Sequence, residues 1–155
     1  MPDSNSVVQS LLPRSHDEFR SREYWDSFFL ERSRSGGAFE WYGSWKEMQP
    51  LLKPRLTAGK PAADVNVLVV GCGNSSLSAD MYDSGFTSIV SVDFSESVIA
   101  QMTVENASRP GMRWEVMDIK AMSFPDASFD VVVDKVQLRC LHLAPRHRSQ
   151  LSLRS

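Results

Sequence analysis

The 155-residue sequence lacks several features that would set it apart from an ordinary globular protein. Its two cysteines, Cys72 and Cys140, are too few for a disulfide framework. Its longest apolar run is Val67 to Val70, whereas a membrane helix needs about 20 apolar residues. The first residues have neither the basic start nor the apolar stretch of a signal peptide. We therefore expect a single domain in the cytoplasm, with a nuclear location left open, and no membrane partner.

Acidic residues are absent from the end of the chain, although the whole sequence carries a net charge of -2. Residues 136–155 hold four arginines and two histidines, whereas residues 1–135 hold 13 basic and 19 acidic residues. The overall charge predicts no nucleic-acid partner. The abrupt change at Lys135 predicts a divergent basic tail over 136–155, after a flexible arm over 1–14 and a main domain over 15–135.

Two helices are predicted before the first strand. Ser15 and Glu18 have the spacing of a capping box, which predicts a helix from Ser15 to about Arg34. A second helix is predicted over residues 44–53 and is expected to end at Pro54, because proline cannot donate a helical hydrogen bond.

From Val65 onward, short β-branched runs alternate with stretches of helical pattern. The predicted strands cover residues 65–70, 89–92, 112–116 and 129–133, and the predicted helices cover residues 77–84 and 95–106. Strands that alternate with helices form a parallel sheet with right-handed crossovers. The sequence therefore predicts an α/β fold with about four parallel strands.

Polar features stand where each predicted strand ends. They are the Gly71-Cys72-Gly73 turn, Asp93, Asp118 and Asp134-Lys135. Ligands of an open parallel sheet bind beyond the carboxyl ends of its strands, near the switch point in strand order. Backbone can approach a ligand closely at the two glycines, and the following helix offers amides to an anion, either a pyrophosphate or an amino-acid carboxylate. A plain tight turn is the alternative interpretation.

Asp93 can accept two hydrogen bonds from a ribose diol. It can also cap the helix that follows, and the two roles are compatible. Ser76 occupies the place of the third glycine in a dinucleotide fingerprint, and Asp118 stands where an adenine amino group would need an acceptor. Both residues disfavour a nicotinamide-dependent dehydrogenase, and no metal site is predicted.

Several segments resemble class I methyltransferases that depend on S-adenosylmethionine (SAM). Residues 68–75 (LVVGCGNS) look like the first motif of that class, and the CGNS stretch is typical of the methyltransferase-like 13 group and its elongation factor 1-alpha lysine methyltransferase relatives. The other similar segments are Tyr24-Trp25, 39–43 (FEWYG), 91–93 (SVD) and 124–135 (FPDASFDVVVDK). The resemblance covers residues 11 to 135 and implies a Rossmann-like SAM methyltransferase.

The resemblance also implies roles at matching positions in a SAM site. Asp93 would hold the ribose with Phe94 beside the adenine, and Asp118 would accept from the adenine amino group. The backbone amide of Ile119 would face the ring. The positions implied to contact SAM are Trp25, Phe29, Trp41, Gly71, Gly73, Asp93, Phe94, Asp118 and Ile119. An alternative for the aromatic residues is a purely structural role in the core.

Asp134 and Lys135 are implied at the methyl-transfer end of the site and are our candidate catalytic residues. A lysine that only faces solvent is the alternative for Lys135. Methyl transfer itself gains mainly from proximity and orientation, so few catalytic side chains are needed.

The sequence departs from the family after Lys135. Family members continue with Gly-Thr-Leu-Asp-Ala-Leu, whereas Val136, Gln137 and Leu138 follow here. This departure predicts an incomplete fold and indicates an alternative exon end, a frameshift or a mispredicted gene model. Two functions are expected: methylation of a lysine or an N-terminal amine on elongation factor 1-alpha or a similar protein, or a non-catalytic isoform that binds cofactor weakly or acts as an interaction partner.

Overall fold

The computed structural model describes residues 15–35, 40 and 43–134. The predicted arm over 1–14 and the predicted tail over 136–155 lie outside these residues. No helix in the described part of the chain has the length and apolar character needed to cross a membrane.

In the part of the chain that the structure describes, four parallel strands form one sheet in the order β3-β2-β1-β4. They are β1 (Asn66–Val70), β2 (Ser88–Asp93), β3 (Met112–Val116) and β4 (Val131–Asp134). The first three strands follow one another toward one edge, and the chain then crosses back to place β4 on the other side of β1. The parallel α/β fold predicted from the sequence is confirmed, and the switch in strand order lies between β1 and β4.

Within the described residues, five α-helices accompany the sheet. They are α1 (His16–Arg20), α2 (Arg22–Ser35), α3 (Trp45–Thr57), α4 (Leu77–Asp83) and α5 (Glu96–Glu105). The cap predicted at Ser15 is confirmed, because its hydroxyl oxygen accepts from the Glu18 N–H at 3.2 Å. Ser95 caps α5 in the same way, since its hydroxyl accepts from the Val98 N–H at 3.4 Å.

The prediction of one continuous helix from Ser15 to Arg34 was wrong. The helix breaks at Ser21, whose backbone is extended with φ -85° and ψ 124°. The Ser21 hydroxyl accepts from the Tyr24 N–H at 3.2 Å and so begins a new helix. Serine side chains compete with helical backbone bonding, which is why a break can form inside an otherwise helical pattern.

Pro54 does not end α3, which contains both Pro50 and Pro54 and continues to Thr57. A proline inside a helix costs about 3 kcal/mol, so other contacts must hold this helix. The Trp45 indole N–H donates to the Ser84 hydroxyl at 3.1 Å, and the Lys53 ammonium donates to the Ser84 carbonyl at 2.6 Å. These tertiary contacts hold α3 on either side of Pro50.

The two faces of the sheet are covered differently within the described residues. Val67 and Val69 face a core built with the helices, whereas Leu68 and Val70 face a smaller cluster that includes Phe124 of the β3–β4 connection. On the helical side, α2 packs against α5 and α3 packs against α4. This arrangement holds the carboxyl ends of the strands at one edge of the sheet, with α2 close to them.

Candidate cofactor site

The turn after β1 has the backbone conformation that its glycines were predicted to permit. Gly71 and Gly73 have φ values of 59° and 49°, in the left-handed region that favours glycine. The Cys72 N–H donates to the Val92 carbonyl at 3.0 Å, which ties the turn to the end of β2. Burial raises the pKa of the Cys72 thiol well above its ordinary value, and the charge of Asp93 adds to this effect. Cys72 is therefore a neutral packing residue.

Asp93 ends β2 and is buried, with only 4% of its surface exposed. Its Oδ2 accepts from the Gly73 N–H and its Oδ1 accepts from the Ser95 N–H, both at 3.0 Å. Burial raises the pKa of the Asp93 carboxyl, although these backbone hydrogen bonds act in the opposite direction. The predicted helix-cap role is wrong, because Ser95 is the N-cap of α5 and Asp93 accepts from the N–H of that cap residue. The Asp93 carboxylate instead joins the loops that follow β1 and β2.

Asp118 stands two residues after β3 and is exposed. Its Oδ1 accepts from the Lys120 N–H at 2.9 Å and begins a single 3₁₀ turn over Ile119–Ala121. The preceding residue, Met117, donates its N–H to the Asp93 carbonyl at 2.9 Å. The structure therefore brings Asp118 and the half-buried Ile119 to the same edge as Asp93, and their contacts with adenine remain predictions.

Asp134 ends β4 and lies opposite Val70 in the parallel register with β1. It is therefore next to the glycine turn at the switch point of the sheet. Phe94 is half-buried in the loop after Asp93. Lys135 and Trp41, which were predicted as catalytic and cofactor-contacting residues, lie outside the described residues, so their roles remain predictions.

The aromatic residues of α2 reach the glycine turn. Phe29 is 7% exposed, and a Cβ added at Gly73 would lie only 3.0 Å from its Cζ. The Trp25 ring is half-buried, and its centroid is 5.8 Å from that of Phe29. The Trp25 indole N–H donates to the Phe19 carbonyl at 3.0 Å. Phe29 is thus a core residue that also touches the predicted site, and Trp25 lies beside it.

Glu40 lies within the 39–43 segment, and the sequence pattern predicts no role for it. Its Oε1 accepts from the Ser76 N–H at 2.7 Å and from the Ser75 hydroxyl at 2.8 Å. The Ser76 amide was expected to face a ligand anion, and in the structure it is bonded to this carboxylate. The sequence signal that could have indicated this contact is the Ser75-Ser76 pair, in which Ser76 holds the place of the third glycine. Two hydroxyls and an amide make a good carboxylate site.

No group of His, Cys, Asp and Glu side chains among the described residues could hold a metal ion. The chemistry at this edge of the sheet comes instead from carboxylates that accept hydrogen bonds, a glycine turn and aromatic rings. Such a set suits an organic cofactor that carries hydroxyl groups and a flat ring.

A family model described as a methyltransferase domain matches residues 67–152 of the chain. The matched range begins within β1, contains the strands that build the site and continues past Lys135. The chain belongs to the SAM-dependent methyltransferase family.

Curated relatives match most of this chain. The eEF1A lysine and N-terminal methyltransferase of Bos taurus is 50% identical over 127 residues, which is 81% of this chain and 17% of that protein. The EEF1A lysine methyltransferase 4 of Mus musculus is 40% identical over 124 residues, which is 80% of this chain and 46% of that protein. The chain therefore spans less than half the length of either relative.

Solved structures confirm the fold. The magnesium protoporphyrin IX methyltransferase of Synechocystis PCC 6803 with bound SAH matches with a TM-score of 0.55 and 18% identity, over 78% of this chain and 59% of that chain. The same enzyme with bound SAM matches with a TM-score of 0.54 and 21% identity, over 78% of this chain and 62% of that chain.

Proposed function

We propose that this chain binds SAM and belongs to a protein that methylates a lysine or an N-terminal amine on eEF1A or a similar protein. The observation that carries the proposal is the 40–50% identity to methyltransferases of eEF1A over four-fifths of the chain. That identity spans the glycine turn and Asp93, and the fold brings them to one edge.

The Asp93 carboxylate has acceptor capacity left for a ribose. Its oxygens accept from the Gly73 and Ser95 N–H groups at 3.0 Å, and the Phe94 N–H also interacts with the carboxylate, whereas an ionised carboxylate offers about four lone-pair sites. Two hydroxyl donors of a ribose diol can therefore bind without displacing Gly73 or Ser95. The fixed backbone amides on both oxygens hold the carboxylate in one orientation, so little ordering is needed when the ribose binds.

The glycine turn and α2 provide the remaining fit. Gly73 has no Cβ, and one added there would press on Phe29, so backbone and ring lie in close contact at this point. A SAM methionine moiety passing beside Gly71 and Gly73 would lie near Trp25 and Phe29, and aromatic faces stabilise a sulfonium cation.

SAM supplies an activated methyl group on its sulfonium when bound. The protein residues then have to orient the acceptor amine and keep it neutral, since only the neutral amine has a free electron pair. Asp134, at the end of β4 beside Val70, lies where the acceptor would enter from the switch point. We assign Asp134 and Lys135 to this end of the site.

The first test is calorimetric titration of the purified chain with SAM, its demethylated product S-adenosylhomocysteine (SAH) and NAD. Binding of SAM and SAH, with weaker or no binding of NAD, is the expected result. Tighter binding of NAD than of SAM would contradict the cofactor assignment.

The second test incubates the chain with eEF1A and isotope-labelled SAM and locates the label by mass spectrometry. Label on a lysine side chain or on the N-terminal amine of eEF1A is expected for an active enzyme. Cofactor binding without label would instead support a non-catalytic isoform. Label on neither eEF1A nor any protein of a total extract would contradict the methylation proposal for this chain.

A further inference from the structure

Asp26 of α2 reaches across to the loop after β2. Its Oδ1 accepts hydrogen bonds from the Ser95 hydroxyl and from the Ser97 hydroxyl, the latter at 3.1 Å. Ser95 is completely buried and Asp26 is partly buried, so these bonds are shielded from water. Asp26, Ser95 and Ser97 therefore link α2 to the start of α5, two elements that are far apart in the chain.

Ser95 connects this contact to the cofactor acid. Its backbone N–H donates to Asp93 Oδ1 at 3.0 Å, while Gly73 donates to Oδ2 at the same distance. A continuous hydrogen-bonded chain thus runs from Asp26 through Ser95 and Asp93 to the glycine turn. Phe29, one helical turn after Asp26, packs on Gly73. Helix α2 therefore meets the two loops through one polar and one apolar contact.

The contact between Asp26 and Ser95 places a negative charge near Asp93, and this has an electrostatic cost that an apolar contact would not have. The negative charge of Asp26 contributes to raising the pKa of the buried Asp93. The Cys72 thiol also faces Asp93, whose charge helps to raise the pKa of that thiol. Glu96 on α5 faces solvent beside Arg22, at 3.7 Å. Asp118, after β3, is exposed and bonded to the Lys120 N–H. A like charge nearby disfavours the ionised form of the buried Asp93, so this placement of Asp26 is an electrostatic cost rather than a gain.

We propose that Asp26 is a positioning residue for the cofactor. It fixes Ser95, and through Ser95 the Asp93 carboxylate, in the orientation that accepts the ribose, and it holds α2 with Trp25 and Phe29 against the glycine turn. This role rests on the proposed binding of SAM and adds to it a residue that does not touch the cofactor.

Variants of Asp26 separate positioning from general stability. Asp26→Ala removes the acceptor of both serine hydroxyls, whereas Asp26→Asn keeps one amide oxygen and removes the charge. Glu31→Gln is the matched control, because Glu31 lies on the same helix and forms an exposed ion pair with Arg34 at 3.3 Å. SAH affinity is measured by calorimetry at neutral pH and at successively lower pH, with circular dichroism to confirm folding at each pH.

At neutral pH, Asp26→Ala should weaken SAH binding at least tenfold, Asp26→Asn should recover part of that loss, and Glu31→Gln should bind as the unaltered chain does. Asp26→Asn should also move the acidic fall in SAH affinity to lower pH, because one negative charge beside Asp93 is gone. This midpoint shift checks that the Asp26 charge acts on Asp93, whereas amide exchange at Gly73 and Ser95 checks the positioning role.

Hydrogen exchange of the free protein gives an independent readout. The amide hydrogens of Gly73 and Ser95 should exchange faster in Asp26→Ala than in the unaltered chain. Their exchange rates should be unchanged in Glu31→Gln. A folded Asp26→Asn variant with unaltered affinity, pH midpoint and amide exchange would overturn the positioning role while leaving the proposed function intact. If the unaltered chain binds no SAH, both proposals are overturned.

Discussion

Asp93→Asn is the substitution that best tests the assignment of the ribose. Asparagine has the shape of aspartate but carries no charge and has one acceptor oxygen instead of two. One of the two backbone N–H groups that Asp93 now holds, from Gly73 and Ser95, would lose its partner. Alanine would leave both without one, at about 1–3 kcal/mol each, so Asp93→Ala weakens the fold as well as the site.

The expected loss of affinity follows from the hydrogen bonds to the ribose. A hydrogen bond to a charged group contributes about 1.5–3 kcal/mol, and a neutral one about 0.5–1.5 kcal/mol. In Asp93→Asn, at most one ribose hydroxyl can still donate to the side-chain oxygen, and the other can accept from the side-chain nitrogen. Exchanging two charge-assisted bonds for two neutral ones costs about 2 kcal/mol. Since 1.4 kcal/mol is about a factor of ten, SAH should bind about 30-fold more weakly to Asp93→Asn. Asp93→Ala should weaken binding by at least tenfold.

The assay is calorimetric titration with SAH at neutral pH, alongside thermal melting followed by circular dichroism. The melting curve separates a lost fold from a lost ligand contact. If a folded Asp93→Asn variant binds SAH with unaltered affinity, Asp93 only joins the loops after β1 and β2, and the ribose assignment is wrong.

Three further outcomes are expected. SAM and SAH should bind the chain more tightly than NAD in parallel titrations. SAH affinity should fall as the pH drops through the raised pKa of Asp93, because the protonated acid loses acceptor capacity, and Asp93→Asn should show no such dependence. Gly111→Ala should lower the melting temperature more than Gly59→Ala. Both positions have positive φ, which costs alanine about 1–2 kcal/mol. Only at Gly111 would the new Cβ also lie 2.2 Å from the Thr87 carbonyl oxygen, whereas nothing lies within 4 Å at Gly59. Equal melting temperatures for the two glycine variants would contradict this reasoning.

The sheet was predictable because its strands are short apolar runs bounded by turn residues. Strand β3 has the predicted bounds, and β1 and β2 agree within one residue at each end. Strand β4 begins at Val131, two residues later than predicted. The Asp130 carboxylate accepts from the Asn66 N–H at 2.9 Å and from the Lys60 ammonium at 3.0 Å, which holds the chain just before the strand. Such contacts between distant residues leave no local pattern.

Of the carboxylates at the site, the sequence predicts a role for Asp93 but not for Asp26 or Glu40. The reason is again that contacts between distant residues leave no local pattern. Asp93 was identified because it follows a strand, which is a local signal. Asp26 and Glu40 were missed because their partners are 69 and 35 residues away in the sequence. Each binds serine hydroxyls at the start of a helix, and neither the serines nor the acids are distinctive until the fold brings them together.

The position of Glu40 also gives a physical reason for the choice of cofactor. In a dinucleotide site, the amides at the start of the helix after β1 bind a pyrophosphate, which is an anion. Here the Ser76 amide is bonded to the Glu40 carboxylate, and the Leu77 amide to the Ser75 hydroxyl. A pyrophosphate would have to displace a carboxylate of its own sign. SAM has one carboxylate, which Glu40 would also repel, but it has a sulfonium and an ammonium group as well. Its net charge is therefore positive, and a negative charge beside the glycine turn favours it over a pyrophosphate. The missing third glycine and the added acid therefore disfavour a dinucleotide in two separate ways, one through the backbone and one through charge.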